Sequence, residues 1–411
     1  MSSRTGGFHE TMLEFWKQNL FIIFFTEVLF YTSFALLIPT LPLYLQTFNI
    51  GTAQIGLVMS IFAIGLLASR PYIGKFIDQY GARCILRYGG AILMGSSILY
   101  AFVPSLIWVY PIRIVHGVGM ALHSTSSNAI VASSTTADKR GGVMGLFGIS
   151  RALAFGVGPV LGGLILGIWG HMAVFIAAAL LGLASTVAAR FAGDCSRVEI
   201  ETNRKALKDF FLNRTLLFCT VAMFLLTVVH GGLTTFLPIH VTSRMAGNLG
   251  TFYLLYSITI TLVEIFAGKA SDQQCRIPIV LTSVALLGIG FIAVGNVSGA
   301  LGLVLAAIIY GAGFGGFQVG IGAFVGDQTN DQNRGQVFSV FYSSFDLGMA
   351  LSGVVMGVVA AGVGLAGMFY ISSVVVLPSI LLLMFSPPGG LREAFSCGLL
   401  GDFRPGFRHM G

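Results

Sequence analysis

The sequence contains little charge. Only 9% of its 411 residues are Asp, Glu, Lys or Arg, whereas 55% are apolar, and the mean hydropathy is +0.87. A soluble domain carries roughly 25% charged residues. A chain this poor in charge cannot cover itself with a water-facing surface, which excludes an ordinary soluble protein. Its surface is expected to face the hydrocarbon of a lipid bilayer.

Motifs that carry chemistry are also missing. The five cysteines form no CxxC pair, and none lies near a histidine at metal-ligand spacing, which argues against a metal site. The chain contains no HExxH, no GxSxG and no GxxxxGKS/T phosphate-binding loop, so we expect neither an enzyme, nor an ATP-driven pump, nor a cofactor. The net charge of +7 is dispersed between apolar stretches, which argues against nucleic acid as a partner.

Long apolar runs fill most of the chain instead. A membrane-spanning helix needs about 20 mostly apolar residues. We count twelve such runs, separated by short segments rich in Gly, Pro, Asn or charge. The sequence therefore predicts an all-α membrane protein with twelve transmembrane helices. The predicted spans are 20–45, 53–73, 85–102, 106–131, 143–168, 173–191, 215–240, 249–267, 277–297, 301–325, 336–361 and 368–385.

Basic residues alternate between the segments that connect these runs. The connections on one side carry almost no Lys or Arg, and those on the other side carry most of them. By the positive-inside rule the basic side is cytoplasmic, so both termini are predicted to be cytoplasmic in a protein of the plasma (inner) membrane. The longest connection divides the chain. The predicted parts are an N-terminal six-helix bundle (1–191), a cytoplasmic linker (192–214), a C-terminal six-helix bundle (215–385) and a cytoplasmic tail (386–411).

The two predicted bundles show a weak internal repeat at an offset of about 194 residues. An even-numbered repeat in the same orientation relates two halves by a pseudo-twofold axis along the membrane normal. Transporters built in this way bind substrate near the midplane, between the halves. The matching positions include Gly74 with Gly268, Asp78 with Asp272, Gly117 with Gly311 and Arg140 with Arg334.

Three segments resemble signatures of the major facilitator superfamily. The connection after the second span, GKFIDQYGARCIL, is similar to Gly-x-x-x-Asp-Arg-x-Gly-Arg-Arg, although Gln79 and Ala82 replace two basic residues. The fourth span contains Arg113-x-x-x-Gly117-x-Gly119. The fifth contains GISRALAFGVGPVLGG, which resembles the signature of drug/proton antiporters. The matching positions are Gly74, Asp78, Gly81, Arg83, Arg113, Gly148, Gly156, Gly158, Pro159, Gly162 and Gly163.

This resemblance implies a monomeric secondary active transporter that exports small amphiphilic molecules by alternating access, in exchange for protons. It also implies that Asp78 caps the N-terminus of the eleventh span, where the helix dipole favours an anion, and so holds the cytoplasmic side shut. The alternative for Asp78 is an ordinary loop residue bonded to Arg83. Two other functions stay open: a carrier of a defined metabolite (a sugar, an amino-acid-like chelator or a lipid precursor), and an uncoupled channel or receptor.

Ionisable residues inside the spans are costly and call for a reason. Glu27 lies roughly 10 Å into the first span, where a carboxylate is a candidate proton carrier or a structural ion-pair partner. Arg113 in the fourth span is permanently charged. It is a candidate to influence Glu27, to bind an anionic substrate group or to bond backbone carbonyls. His116 is a candidate titrating group or a satisfied structural histidine.

Uncharged polar residues mark the spans that line the cavity in the family. Each of them alternatively bonds the backbone of its own helix. Together with Glu27, Arg113 and His116 they form the predicted proton and substrate path. These residues are Tyr31, Ser124, Ser127, Asn128, Thr234 and Gln318.

Four charged residues fall within spans two, five, eight and eleven. Under the repeat offset, Arg70 matches Glu264, and Arg151 matches Asp346 to within a residue, so equivalent positions carry opposite signs. In the family, span two packs against eleven and span five against eight. We therefore predict two ion pairs between the halves, Arg70 with Asp346 and Arg151 with Glu264, that form when the cytoplasmic side closes. The alternative is that each charge reaches the membrane interface independently.

Overall fold

The computed structural model describes residues 20–134, 140–193, 213–244, 247–273, 276–329 and 334–385. Within these ranges the chain is helical apart from short connections. The predicted tail 386–411 and most of the predicted linker 192–214 lie outside the described residues. The ten helices of the described ranges are α1 Leu20–Gln46, α2 Thr52–Tyr80, α3 Ala82–Ala101, α4 Leu106–Ser134, α5 Arg140–Arg190, α6 Arg214–Ser243, α7 Leu249–Gln273, α8 Arg276–Gly295, α9 Gly299–Asp327 and α10 Arg334–Met384.

The outer surface of the helices is apolar. All ten helices are long and apolar enough to cross a membrane. Large apolar side chains stand exposed on several of them, among them Ile107, Phe266, Leu301 and Val358. Hydrocarbon offers no partner to a free backbone group, and a helix satisfies those groups internally. The chain is therefore an all-α, multi-pass membrane protein, as its composition predicts.

Two helices are much longer than one membrane crossing. α5 and α10 each run for 51 residues, and each contains one residue whose backbone is not helical. These residues are Gly170, with φ 76°, and Gly364, with φ 77°. Glycine adopts a positive φ at no steric cost, so each glycine lets the chain turn sharply. The breaks lie where the sequence predicts short connections, between spans 143–168 and 173–191 and between spans 336–361 and 368–385.

The helices pack in matching patterns in the two parts of the chain. α1 packs on α5, α2 on α4, and α3 on both α4 and α5. In the same way α6 packs on α10, α7 on α9, and α8 on both α9 and α10. Contacts between the two sets are made by α2 with α10, α5 with α7, and α1 with α6. The pairs α2–α10 and α5–α7 are those for which the resemblance predicts packing between the halves.

A close backbone contact joins α2 to α10. α1 begins on one side of the membrane and ends on the other, and we name these the Leu20 side and the Gln46 side. Towards the Gln46 side, Gly56 of α2 faces Gly353 of α10 so closely that a Cβ on either residue would overlap the other's carbonyl. The Ser60 hydroxyl oxygen accepts a hydrogen bond from the Val354 amide, 3.0 Å away. Small residues of this kind allow membrane helices to approach each other at backbone distance.

Gly56→Ala is therefore expected to destabilise the protein by about 1–3 kcal/mol, since the added methyl group forces α2 away from α10. A matched control is Gly95→Ala in α3, because nothing lies within 4 Å of a Cβ there. Thermal unfolding of the two variants in detergent measures the difference. Equal unfolding temperatures for Gly56→Ala, Gly95→Ala and the parent chain would show that the contact is not tight.

Candidate proton and substrate site

A buried ion pair between α1 and α5 forms the centre of the site. Glu27 is 0% exposed. Arg151 donates from Nε to Glu27 Oε2 at 3.1 Å and from Nη2 to Glu27 Oε1 at 3.3 Å. Two parallel bonds between a guanidinium and a carboxylate are strong and fix the geometry of both groups. The structure therefore joins two residues that the sequence prediction assigns to different roles.

Three further side chains hold this pair. The Ser150 hydroxyl lies 3.2 Å from Glu27 Oε2 and 2.7 Å from the Phe147 carbonyl oxygen, so its single proton is shared between two acceptors. Asn128 Oδ1 accepts a hydrogen bond from Arg151 Nη2 at 3.1 Å. The Arg151 guanidinium also lies over the ring of Tyr31, 5.3 Å from its centre. Tyr31 and Asn128 thus both contact Arg151, whereas their place on a proton and substrate path stays a prediction.

Glycines in the antiporter-like segment of α5 set this arrangement. A Cβ on Gly158 would lie 2.6 Å from Ala35 Cβ, and one on Gly162 would lie 2.5 Å from the Leu36 carbonyl oxygen. Gly158 is two helical turns beyond Arg151, and Ala35 is about two turns beyond Glu27. The close approach of α1 and α5 at Gly158 therefore brings Glu27 within reach of Arg151. In the same segment Pro159 is buried, and Gly163 lies opposite Gly250 of α7.

The chemistry of the pair follows from the difference between its members. A buried carboxylate needs a charged or hydrogen-bonding partner. Arginine does not lose its proton in proteins, so Glu27 is the member that can gain or lose one. The Arg151 side chain is 34% exposed, whereas Glu27 is fully enclosed. Protonation of Glu27 would remove the charge that holds Arg151 in place.

A second ion pair connects α2 to α10. Arg70 Nη2 lies 2.6 Å from Asp346 Oδ2, and both side chains are 30% exposed. The structure confirms this predicted pair, whereas its role in gating remains a prediction. The charges of Arg70 and Asp346 act on the hydroxyl of Tyr31, as do those of Glu27 and Arg151. We call Glu27, Tyr31, Arg70, Arg151 and Asp346 the charge cluster.

The predicted pair between Arg151 and Glu264 is not formed in this structure, and its formation when the cytoplasmic side closes stays a prediction. Arg151 bonds Glu27 instead, because α1 packs directly on α5. Glu264 of α7 is partly buried and makes no hydrogen bond or ion pair with any residue that the structure describes. The repeat predicts the opposite charges correctly but does not reveal the nearer carboxylate within the first half.

Arg113 binds backbone rather than a carboxylate. Its Nε donates to the Val58 carbonyl at 3.3 Å, and its Nη2 donates to the Met59 carbonyl at 2.7 Å. The guanidinium also lies 4.8 Å from the centre of the Phe62 ring. Of the three roles considered for Arg113, the structure shows the one in which it fastens α4 to backbone carbonyls of α2.

Arg113→Lys is expected to lower the free energy of unfolding by about 1.5–3 kcal/mol, because one ammonium cannot reproduce a planar fork that reaches two carbonyls. The pH dependence of transport should remain that of the parent chain, since Arg113 makes no contact with Glu27. Thermal unfolding and a pH profile of transport measure the two effects. A shifted pH profile at unchanged stability would instead place Arg113 on the proton path.

The remaining predicted path residues do not converge on the charge cluster. His116 is buried, with its Nδ1 3.4 Å from the Tyr100 hydroxyl. Ser124 and Thr234 bond carbonyls of their own helices, at 3.4 and 2.9 Å. Ser127 is buried and Gln318 half-buried, and neither has a hydrogen-bond partner within the described part of the chain. Their place on a substrate path remains a prediction.

The connection between α2 and α3 forms a tight turn. Gly81 has φ 84° and stands between the two helices, which explains why a glycine occupies this position. Gly74 is half-buried, and no atom lies within 4 Å of the position that a Cβ would take there. Arg83 lies beside Gly193. Asp78 is exposed and bonds neither Arg83 nor the start of α10 among the described residues. The predicted cap is therefore not observed, although residues 330–333, which precede α10, lie outside the described ranges.

Comparison with known proteins decides the family. The model of the Major Facilitator Superfamily matches residues 23–263 and 239–396. This chain belongs to the Major Facilitator Superfamily. Members of this superfamily are transporters rather than enzymes, so the chain is a transporter of small molecules across a membrane. Within the described residues no cluster of three His, Cys, Asp or Glu side chains could hold a metal ion.

Two of the relatives described here, PmrA and the staphylopine export protein, are named as exporters. The chain is 24% identical over 382 residues to the multi-drug resistance efflux pump PmrA of Streptococcus pneumoniae, covering 89% of this chain and 95% of the relative. It is 22% identical to the staphylopine export protein of Staphylococcus aureus, with the same coverage. It is also similar to the multidrug resistance protein MdtG of Yersinia enterocolitica, at 24% identity over 88% of this chain and 91% of the relative.

Solved structures of other transporters share the fold. A bacterial homolog of the human lysosomal transporter Spinster, in an inward-facing and unoccupied conformation, matches with a TM-score of 0.75 at 12% identity, over 92% of this chain and 97% of the other. The nucleoside transporter NupG, as a D323A mutant, matches with a TM-score of 0.75 at 16% identity, over 90% of this chain and 99% of the other. At these identities the likeness concerns the fold alone.

Two residues that join helices at or near the site were not predicted from the sequence. Ser150 bonds Glu27, and Ser60 accepts the amide of Val354 across the α2–α10 contact. Both are single hydroxyls in apolar helices, and most such hydroxyls bond their own backbone. The sequence offers one weak signal for Ser150, which is that it directly precedes Arg151.

Proposed function

We propose that this transporter exports small amphiphilic molecules in exchange for protons, with Glu27 as the group that carries the proton. The observation that carries the proposal is the enclosed carboxylate of Glu27, whose direct ion-pair partner is a permanent cation, Arg151. Such a pair is stable when Glu27 is ionised and loosens when Glu27 is neutral. The similarity to the efflux pump PmrA supports the direction of transport.

We further propose a layout of twelve spans in two six-helix halves. Counting α5 and α10 as two spans each, divided at Gly170 and Gly364, turns ten helices into twelve. The matching contacts of α1–α5 and α6–α10 support a repeat. We assign residues 1–191 and 215–385 to the halves and treat 192–214 as a cytoplasmic linker and 386–411 as a cytoplasmic tail. The transporter then works as a monomer in the plasma (inner) membrane.

Alternating access follows from the contacts between the halves. The Gly56–Gly353 contact lies towards the Gln46 side, and the Arg70–Asp346 pair lies roughly 27 Å from the Thr52 end of α2. We propose that these contacts break and form in alternation as each side opens. Within this scheme Asp78, Gly81 and Arg83 serve the closure of the cytoplasmic side, and Gly158, Pro159, Gly162 and Gly163 serve the packing of α5 on α1 and α7.

The test of the proposed function uses purified protein in proteoliposomes with ethidium, a lipophilic cation, as the probe. An imposed proton gradient should drive ethidium accumulation by about tenfold for each pH unit if one proton is exchanged per molecule. A protonophore should abolish the accumulation. Ethidium uptake that merely equilibrates, with or without the protonophore, would indicate an uncoupled channel.

A second candidate is a carrier of one defined metabolite in the same fold. The staphylopine export protein among the relatives favours it, because its name records a single exported compound. Competition of ethidium transport by unlabelled compounds separates the two. Inhibition by many unrelated amphiphiles supports the multidrug function, and inhibition by one chemical class supports the metabolite carrier.

Orientation in the membrane gives a separate prediction. Single cysteines placed at Asn49 and Gly364 should react with an impermeant thiol reagent added outside intact cells, because the segments that hold them carry no Lys or Arg. Cysteines at Thr202 and Gln332, which fall in basic segments outside the described residues, should react only after the membrane is opened. The opposite pattern at either pair would reverse the orientation.

A further inference from the structure

The unpaired Glu264 lies at nearly the same depth as Arg151. α5 and α7 touch where Gly156 meets Ser257, since a Cβ on Gly156 would lie 3.1 Å from Ser257 Cβ. From this contact Arg151 lies five residues towards the Leu20 side on α5, and Glu264 lies seven residues towards the same side on α7. These separations correspond to roughly 8 Å and 10 Å along the helices.

Arg151 and Glu264 share a neighbour on α10. Tyr342 of α10 lies within electrostatic range of both Arg151 and Glu264. Glu264 has no counterion among the described residues, and a partly buried carboxylate without one is costly. Asp346 also lies within electrostatic range of Arg151, but it already holds Arg70 at 2.6 Å. Glu264 is thus the carboxylate on the α7 side of the interface that has no arginine partner among the described residues.

Arg151 is the member of its pair that is placed to move. Glu27 is enclosed by α1 and α5, whereas the guanidinium of Arg151 is partly exposed. The titratable and charged groups around Arg151 are Glu27, Tyr31, His123, Tyr342 and Asp346, and those around Glu264 are Tyr256 and Tyr342. Of these, Glu27 and Glu264 are the two acids not engaged by another arginine.

We propose that Arg151 exchanges carboxylates during transport, binding Glu27 while Glu27 is ionised and Glu264 once Glu27 has taken up a proton. This inference rests on the proposed function, in which Glu27 is the proton site. The exchange couples the two halves, because a proton bound on α1 releases Arg151 to draw α5 towards α7. A proton can shift the conformational equilibrium only if the two states differ in their affinity for it, and the exchange supplies that difference.

A distance measurement between α5 and α7 tests the exchange. Spin labels replace Ile149 and Ile265, both exposed, in full-length protein whose natural cysteines are replaced, and the distance is recorded by pulsed electron resonance in lipid nanodiscs. In the parent chain the short-to-long population ratio should rise about tenfold from an alkaline to an acidic sample, if the exchange contributes about 1.4 kcal/mol. Glu27→Gln should show the short distance at both pH values.

Glu264→Gln tests whether Glu264 is the carboxylate to which Arg151 moves. In the double variant with Glu27→Gln and Glu264→Gln, the short distance should disappear. The control is Asp327→Asn, which changes an exposed carboxylate paired with Arg276 and should leave the distances unchanged. A double variant that keeps the short distance overturns the exchange, as does a Glu27→Gln distance equal to that of the parent at high pH. Elution and thermal unfolding like those of the parent show that each variant is folded.

The same samples separate this inference from the proposed function. If Glu27→Gln loses proton-driven ethidium transport but its distances do not change, the exchange is wrong and the proton site stands. If Glu27→Gln retains proton-driven transport, the proposed proton site is wrong, and the exchange falls with it.

Discussion

Glu27→Gln is expected to reduce proton-driven accumulation of ethidium to simple equilibration, with equal concentrations on the two sides of the membrane. The amide keeps the size of the carboxyl group but neither binds nor releases a proton in the relevant range. The parent chain should accumulate about tenfold for each pH unit of gradient if it exchanges one proton per molecule. The full loss of this driving force is the largest effect that one substitution in the charge cluster can have.

Binding of ethidium should survive the same substitution. The amide oxygen can still accept a hydrogen bond from Ser150, and the close contacts of Gly158 and Gly162 with α1 do not involve Glu27, so the packing of α1 on α5 is retained. Asp327→Asn is the matched control, because it also changes a carboxylate that forms an ion pair, at 2.8 Å from Arg276, into an amide. Continued accumulation by Glu27→Gln under a proton gradient would assign the proton to another group.

Asp346→Arg is expected to impair transport by about ten- to a hundredfold. The substitution places a second arginine beside Arg70, in a position where the parent side chains lie 2.6 Å apart and are only 30% exposed. Like charges at that distance repel strongly when they are partly removed from water. Adding Arg70→Asp should restore part of the activity, since the pair is then rebuilt with its members exchanged.

The informative measurement is how much transport activity returns when Arg70→Asp is added to Asp346→Arg. Residues in contact give effects that do not add, whereas effects of distant residues add to within about 0.5 kcal/mol. The corresponding reversal of the Arg276–Asp327 pair serves as the control and should change transport less, because that pair joins α8 to the end of α9 and does not connect the two sets of helices. Strictly additive losses at Arg70 and Asp346 would mean that the pair does not act as a unit during transport.

Hydropathy predicts most of the fold because the bilayer imposes one length and one polarity on every span. The ends of the predicted spans fall within three residues of the observed helices, except that α2 and α7 continue seven and six residues further, to Tyr80 and Gln273. The breaks at Gly170 and Gly364 coincide with predicted connections. The two longest helices were not predictable as continuous elements. A single glycine with positive φ replaces the loop there, and hydropathy does not report backbone angles.

The charge cluster was predictable in part. The repeat relates Arg70 and Asp346 correctly, because α2 and α10 pack across the halves as the family resemblance implies. It does not give the partner that Arg151 has in this structure, since symmetry reveals equivalent positions but not which of two carboxylates lies nearer. The choice of Glu27 depends on the depth at which α1 meets α5, which is set by the contacts of Gly158 and Gly162.

Arg113 shows a second limit of prediction from the sequence. An arginine in a span signals a need for acceptors, and the sequence alone cannot distinguish a carboxylate from the carbonyls of Val58 and Met59 on a neighbouring helix. Backbone acceptors are present at every residue and leave no mark in the sequence. The same holds for Ser124 and Thr234, whose hydroxyls bond their own helices.

Proton movement during substrate movement tests the central claim most directly. Ethidium is a permanent cation and carries no proton of its own, so a pH-sensitive dye inside proteoliposomes reports only protons moved by the protein. With no imposed pH gradient, the account predicts that the lumen becomes more alkaline as ethidium enters, and that Glu27→Gln admits ethidium without this change. Ethidium entry through the parent chain at constant lumenal pH would contradict proton exchange.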